Sequence, residues 1–530
     1  VNPPPSPTRP ARIEREDLHA DVTIIGAGFA GLVAGALLAN DGFKVRVLER
    51  DIHPGGCAAR YERKHALGTF SFAVGATVCA GMEPGGLMQR IYRRVGVQRS
   101  LPNLDPVMRL QLNDLFALVP GTRSGWQSEL ERAFPGQQAQ KRAFWRDVGR
   151  IADTMHHVAR HFPSMPFKSL YDVLDTARGA HIGALEVLLN QRRTVGQLLE
   201  RHGVHDPAHR AFIDGQLLDS MQVVSSGCAL TSGAYALEVY RYGAQYVPGG
   251  LATLAEDLAG VIQARGGAVH YATRARRIIV EGGAVRGVET HARSFLSPVV
   301  ISTAPVPDTI ALAGDHTALE EIKAQFNAMP EVWGAFTLYL GVNENALPKD
   351  TLPFEQITDF NDKGITENFL VSTSSASDRV RAPAGHRSIT ISTHVRAKDW
   401  FGLEESAYQD KKREFESRIL TRLETRFPGI TDGIVLLESG TPRTFERFTL
   451  HSLGRVGGIP QTTSAAAFGA IHHTTPIKGL LMAGETIFPG QGTLGVSVSG
   501  FNAYRTACRL LAARPRTPEL SATTTTGTVR

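Results

Sequence analysis

The sequence predicts an α/β protein in which one dinucleotide-binding domain is assembled from separated segments. Three observations predict it. DVTIIGAGFAGLVAGALLANDGFKVRVLER reads as strand, helix, strand around a GxGxxG. VPGGLATLAEDLAGVIQARGGAVHY repeats the order turn, helix, strand in mid-chain. Near the end, KGLLMAGETIFPGQGTLGVSVSG sets an apolar run before Gly484, Gly490, Gly492, Gly495 and Gly500. Glycine loses the most backbone freedom on folding, so such a cluster signals backbone brought close to something.

The elements follow in order. Val22 to Ile25 form a buried strand, a helix runs from about Phe29 to Asn40, Gly42 caps it, and Lys44 to Leu48 supply the next strand. From about 85 to 235 the pattern is mostly helical, with arginine-rich amphipathic stretches such as MQRIYRRVGVQRS and KRAFWRDVGRIADTMHHVARHF. ARRIIVEGGAVRGVET is a hairpin turning at Gly282-Gly283, and PVVISTA a buried strand. Between 330 and 450, WGAFTLYLGV and SITISTHV are strands and ESAYQDKKREFESRILTRLETRF a long helix. There are no repeats or heptads.

A chain of 530 residues exceeds what one core normally serves, which implies two domains. Fifty-seven basic against 51 acidic residues give +6, far from a nucleic-acid footprint. Four cysteines without a CxxC pair read as reduced thiols and give no metal site. No window approaches the ~18 apolar residues that span a bilayer. Residues 1–19 begin with a proline-rich, signal-free stretch and are expected to be a disordered arm, and 514–530 a disordered tail. The expected location is cytoplasmic, with membrane contact only at a surface.

In the first motif Gly26 permits the tight turn, Gly28 lets backbone approach a pyrophosphate, and Gly31 lets helix pack on strand. Glu49 ends the second strand, where a carboxylate can accept from a ribose hydroxyl. NAD and FAD share this fingerprint. Gly55 and Gly56, just beyond the acid, suit the extended flavin pyrophosphate. Arg60 either faces phosphate or is a surface arginine, and Arg50 keeps NADP open.

These motifs resemble those of the flavin-dependent amine oxidase and phytoene desaturase superfamily, from about 20 to 510. VGATVCAGMEPGG, FPGQQAQKRAFW, STSSASDRVRAPAGHRSITISTHV and GTPRTFERFTLHSLGRVGGIP narrow the resemblance to carotenoid isomerase-like desaturases, and within these to bacterial carotenoid C-3′,4′ desaturases. The resemblance implies a Rossmann-like FAD domain (20–84, 240–310, 455–513) and a substrate domain of mixed sheet and helices (85–239, 311–454). Gly26, Gly28, Gly31 and Glu49 would hold the ADP half, and backbone near Ala275 the adenine. Gly484, Glu485, Gly492, Gly495 and Val496 belong to the closing flavin motif. There the family usually has aspartate where this chain has Glu485, and a helix starting near Gly495 would point its N-terminus at the isoalloxazine.

The implied activity is FAD-dependent desaturation of an acyclic or 1′-hydroxylated carotenoid at C-3′,4′, with oxygen or a quinone as acceptor. A cis–trans isomerase using reduced FAD and a non-catalytic carotenoid- or flavin-binding protein are the alternatives. The sequence singles out no catalytic residue: Glu238, Arg241 and Tyr242 precede the mid-chain glycine pair and could approach the flavin, but a polar helix edge is the plainer reading. His156, His157 and His161 read as a solvated basic face, His472 and His473 as lining a turn, and GVSVSG misses a nucleophile elbow. HFPSMPFKSL, at 161–170, and the arginine-rich helices before it mix aromatic, apolar and basic groups that suit the anionic inner face of the cell membrane or, equally, an amphipathic helix packed on the core.

Overall fold

The computed structural model describes residues 18–179 and 183–513. The expected arm at 1–17 and tail at 514–530 lie outside these residues. Leu18 and His19, expected in the arm, instead form a strand beside Ser294–Leu296.

Five parallel strands form the central sheet in the order Ala268–His270, Val45–Leu48, Val22–Ile25, Val299–Ser302, Leu480–Met482. Their near-continuous apolar runs suit a sheet covered on both faces. Helix Phe29–Asn40 is apolar on every side and buried for almost its whole length. It packs between helices Leu251–Ala264 and Gly492–Ala512. This last crossing is a backbone contact, since a Cβ on Gly500 would lie 2.3 Å from the Ala30 carbonyl oxygen. The closing helix begins at Gly492 rather than near Gly495.

The hairpin Ala275–Glu281 to Ala284–Thr290 turns through Gly282 and Gly283, both at positive φ, as a two-residue turn matching strand twist requires. Its sheet lies beside the parallel one. A seven-stranded sheet draws on 108–119, 334–343, 354–373, 386–395 and 434–440. The stretch 85–235 is mostly helical, with one hairpin, Met108–Leu112 and Leu115–Val119, that the sequence reading did not name: its alternation is short and flanked by long helices, so the helical pattern masks it.

The period of two divides this sheet into different faces. In Gly334–Asn343, Phe336, Leu338, Leu340 and Val342 pack with Ile419 and Leu423 of helix Glu405–Arg426. Ala335, Thr337 and Tyr339 point the other way, into a cavity. On the helix side the buried Glu355 carboxylate accepts from Arg426, Nη2 to Oε1 being 2.9 Å.

Gly500→Ala is expected to destabilise the fold by about 1–3 kcal/mol, because the clash is with backbone that no rotamer relieves. A lowered Tm checks this; an unchanged one would mean the helices separate freely.

Candidate cofactor and substrate site

One cavity of about 1780 Å³ runs from the tip of the parallel sheet to an opening between helices. All thirteen positions singled out above lie at it or immediately behind its wall. At one end Gly26, Gly28, Glu49, Gly55, Gly56, Arg60 and Ala275 line it; Gly484, Glu485, Gly492, Gly495 and Val496 line its middle. Gly31 is just behind, its missing Cβ leaving room for the Gly26 carbonyl, which would otherwise be 2.2 Å away.

A dinucleotide fits this wall. A Cβ on Gly28 or on Gly492 would meet nothing within 4 Å, so at both points backbone faces open space. Each begins a helix whose first N–H groups have no side-chain cap, leaving donors and a partial positive charge for an anion. Arg60 pairs with Glu256 while its Nε is buried without a partner. Arg50 also lines the cavity, its Nη1 donating to the Arg447 carbonyl at 3.0 Å.

Glu49 accepts from the Ala27 and Asp51 N–H groups, both at 2.7 Å. Burial raises its pKa against the pull of those two donors. The residue lines the cavity. Glu485 sits in the wall of the middle section, its Oε1 3.8 Å from His451 Nδ1. Opposite, burial followed by the Glu485 charge pushes the Cys57 thiol up to about 12, so it stays protonated.

Other candidates fall elsewhere. Glu238 is buried against Arg123 at 2.7 Å, Arg241 lies over Trp126, and Tyr242 donates to Asp153; none lines the cavity. Their helix turns Tyr235, Val239 and Tyr240 inward instead. His156 is half-buried, stacked on Tyr242 at 4.0 Å, and burial lowers its pKa to about 4, so it is no solvated cation. His472 and His473 are buried rather than turn-lining: His472 meets Asp172 at 3.3 Å and His473 meets Thr506 at 2.8 Å. Phe162 is buried and stacked on Phe501, so 161–170 as a whole is no surface segment.

The sequence reading missed Asp219 and His394, which meet in the cavity wall, Oδ1 to Nδ1 3.7 Å. Burial pushes the Asp219 carboxyl up to about 7, its bonds from Gln356 and Asn368 opposing, and lowers His394 to about 4. One signal was available: in FEQITDF the alternation puts Gln356 and Thr358 together on a buried face.

The family model of an NAD(P)-binding Rossmann-like domain matches residues 24–95. The chloroplastic prolycopene isomerase of Arabidopsis thaliana is 28% identical, over 91% of this chain and 81% of its own. The 4,4′-diapophytoene desaturase of a Methylomonas species is 26% identical, over 89% and 92%. Among solved structures, an oxidoreductase from Methanosarcina mazei superposes with a TM-score of 0.60 at 17% identity, covering 92% of this chain and all of that one. A putrescine oxidase variant superposes equally well, at 14% identity over 94% of this chain and all of its own.

Two outcomes test the site. Gly28→Glu directs a carboxylate into open space, so the protein is expected to fold but to lose at least nine-tenths of its bound flavin; full yellow holoprotein would refute the cradle. The Asp219 carboxyl has an ordinary value of 3.8 and a folded value of about 7. Between these the folded chain holds a proton that the unfolded chain has released, so its contribution to stability falls as pH rises through that window and is level above it. Asp219→Asn cannot ionise, so its Tm relative to wild type is expected to rise over the same window. A pH-independent difference would refute the shift.

With a dinucleotide cradle, an apolar cavity beside it and relatives matching along about nine-tenths of its length, the chain is similar to the phytoene desaturase and carotenoid isomerase-like FAD oxidoreductases.

Proposed function

We propose that the protein is a peripheral-membrane, FAD-dependent enzyme that modifies a carotenoid, and that its reaction is desaturation forming the C-3′,4′ bond of an acyclic or 1′-hydroxylated substrate. The observation that carries this reading is the continuity of the cavity. It passes from the dinucleotide cradle to an apolar section that includes Met155, Val158, Met165, Val173 and Val239. A long hydrocarbon fits such a slot, and the site needs little beyond alignment and exclusion of water. Oxidised flavin, when bound, supplies a two-electron acceptor. Gly26, Gly28, Gly31, Glu49, Gly55, Gly56, Arg60 and Ala275 would hold its ADP half. Gly484, Glu485, Gly492, Gly495 and Val496 would hold the flavin half, the helix N-terminus at Gly492 favouring negative charge there. The eventual electron acceptor would be oxygen or a quinone.

Isomerisation is the second reading. It is favoured by one observation: the relatives named prolycopene isomerase reach 28–29% identity, the desaturases 23–26%.

Among the described residues no helix is long and apolar enough to cross a membrane. The cavity opens beside Phe167, Val173, Leu188 and Phe468. Leu170, Tyr171, Leu174, Leu185 and Leu189 stand exposed around that opening, Leu170 at 72% and Leu189 at 71%. Exposed Lys168, Arg178, Arg192 and Arg193 border them. An apolar rim with basic flanks suits the anionic inner face of a cell membrane. The docking surface thus lies mainly on 167–174 and 185–189, later than 161–170.

Expression in bacteria that make acyclic carotenoids separates the reactions. Loss of two hydrogens with a red-shifted absorption is expected for desaturation; constant mass with altered isomer composition would replace it by isomerisation. No change despite bound flavin would favour a binding protein. For docking, Leu170→Asp with Leu189→Asp is expected to cut sedimentation with anionic liposomes at least about tenfold while leaving Tm unchanged, since both side chains are exposed. Undiminished sedimentation would move the docking surface elsewhere.

A further inference from the structure

Asp219 belongs to none of the glycine motifs. It sits on helix Pro207–Met221, beside strands Phe354–Asn361, Gly364–Thr373 and His386–Val395. Two amides address its carboxylate: Asn368 Nδ2 donates to Oδ1 at 2.8 Å and Gln356 Nε2 donates to Oδ2. Both amides are fixed from behind. Gln216 Nε2 donates to Gln356 Oε1 at 2.7 Å, and Thr358 Oγ1 donates to Asn368 Oδ1 at 2.7 Å. Their nitrogens must therefore point at Asp219, and the network has one consistent polarity.

His394 Nδ1, 3.7 Å from Asp219 Oδ1, is buried without a hydrogen-bond partner. Ser220, which follows Asp219, accepts through its carbonyl from the side chain of Gln491, the residue that precedes the closing helix at the middle of the cavity. A held carboxylate and an imidazole whose Nδ1 has no hydrogen-bond partner thus flank apolar space next to the expected flavin end.

We propose that Asp219, with His394 beside it, exchanges a proton with the hydrocarbon in the cavity. This rests on the carotenoid reading above. In desaturation one substrate C–H bond breaks and its electron pair leaves with that hydrogen as hydride, reducing the flavin, which is the oxidant. The positive charge spreads along the polyene. The adjacent C–H bond then breaks, its electron pair becomes the new π-bond, and the proton passes to a carboxylate oxygen of Asp219.

The titratable groups that face Asp219 are His394 and, from the neighbouring helix Leu230–Tyr242, Tyr240; the two strands between contribute neutral amides. A carboxyl near about 7 is matched to proton transfer at neutral pH. His394, held near about 4 by burial, is neutral there and leaves the proton on Asp219.

The test uses the FAD-loaded full chain on anionic liposomes with the acyclic carotenoid that expression shows to be converted. Asp219→Asn is expected to lower turnover at least about 100-fold with flavin content retained. The wild-type rate is expected to inflect near about 7. Gln356→Met removes one donor to the charged form and is expected to move that inflection to higher pH, a change that a purely structural role would not produce. This variant also serves if Asp219→Asn does not fold. Independently of turnover, infrared difference spectra of the holoprotein should show a protonated-carboxyl band that titrates over the same range and is missing in Asp219→Asn. Retained turnover in Asp219→Asn, an unmoved inflection in Gln356→Met, or no such band would overturn the proposal. A wild type that changes no carotenoid in mass or isomer composition would instead overturn the reaction reading, and this role with it.

Discussion

The site depends on one contact between distant parts of the chain, the backbone of Gly500 against that of Ala30. Side chains at a helix crossing usually hold axes 8–10 Å apart. Here their absence lets helices Phe29–Asn40 and Gly492–Ala512 close together, so both N-termini open on one cavity. One terminus alone would offer a few N–H groups to an anion. Two, joined by strands Val22–Ile25 and Leu480–Met482 on either side of Val299–Ser302, define a groove long enough for both ends of a dinucleotide.

What was legible in the sequence follows from how local each signal is. The βαβ unit, the hairpin at Gly282-Gly283 and the buried strand in PVVISTA rest on short-range periodicity and on glycines whose φ no other residue tolerates well, such as Gly26 at +97°. These survive burial in any context. The hairpin at 108–119 was lost because its strands are short and sit among helices. Phe162 read as surface because an aromatic beside basic groups looks the same whether it meets lipid or Phe501.

Asp219 and His394 were illegible for a different reason. Neither carries a motif, and they lie on a helix and a strand far apart in the chain. Only the sheet register, which sets His394 opposite Ala335, turns them toward the same space. Their chemistry is a property of surroundings: an aspartate on an exposed helix would simply be ionised. The polar inward positions Gln356, Thr358 and Asn368 were visible as an anomaly, but not what they serve.

The cavity also sorts charge along its length. At the dinucleotide end Arg60 keeps Glu256 as a partner, and Arg63 meets Glu438 at 2.6 Å. Farther in, burial acts on four groups in the direction that removes charge: up for Tyr235, Tyr240 and Asp219, down for His394. A hydrocarbon entering from the apolar rim therefore passes groups that burial holds toward their neutral forms. A positive charge developing on it would find few compensating anions, which makes its rapid neutralisation by loss of a proton the favoured outcome. The dryness that admits the substrate is thus the same property that poises Asp219 to take the proton.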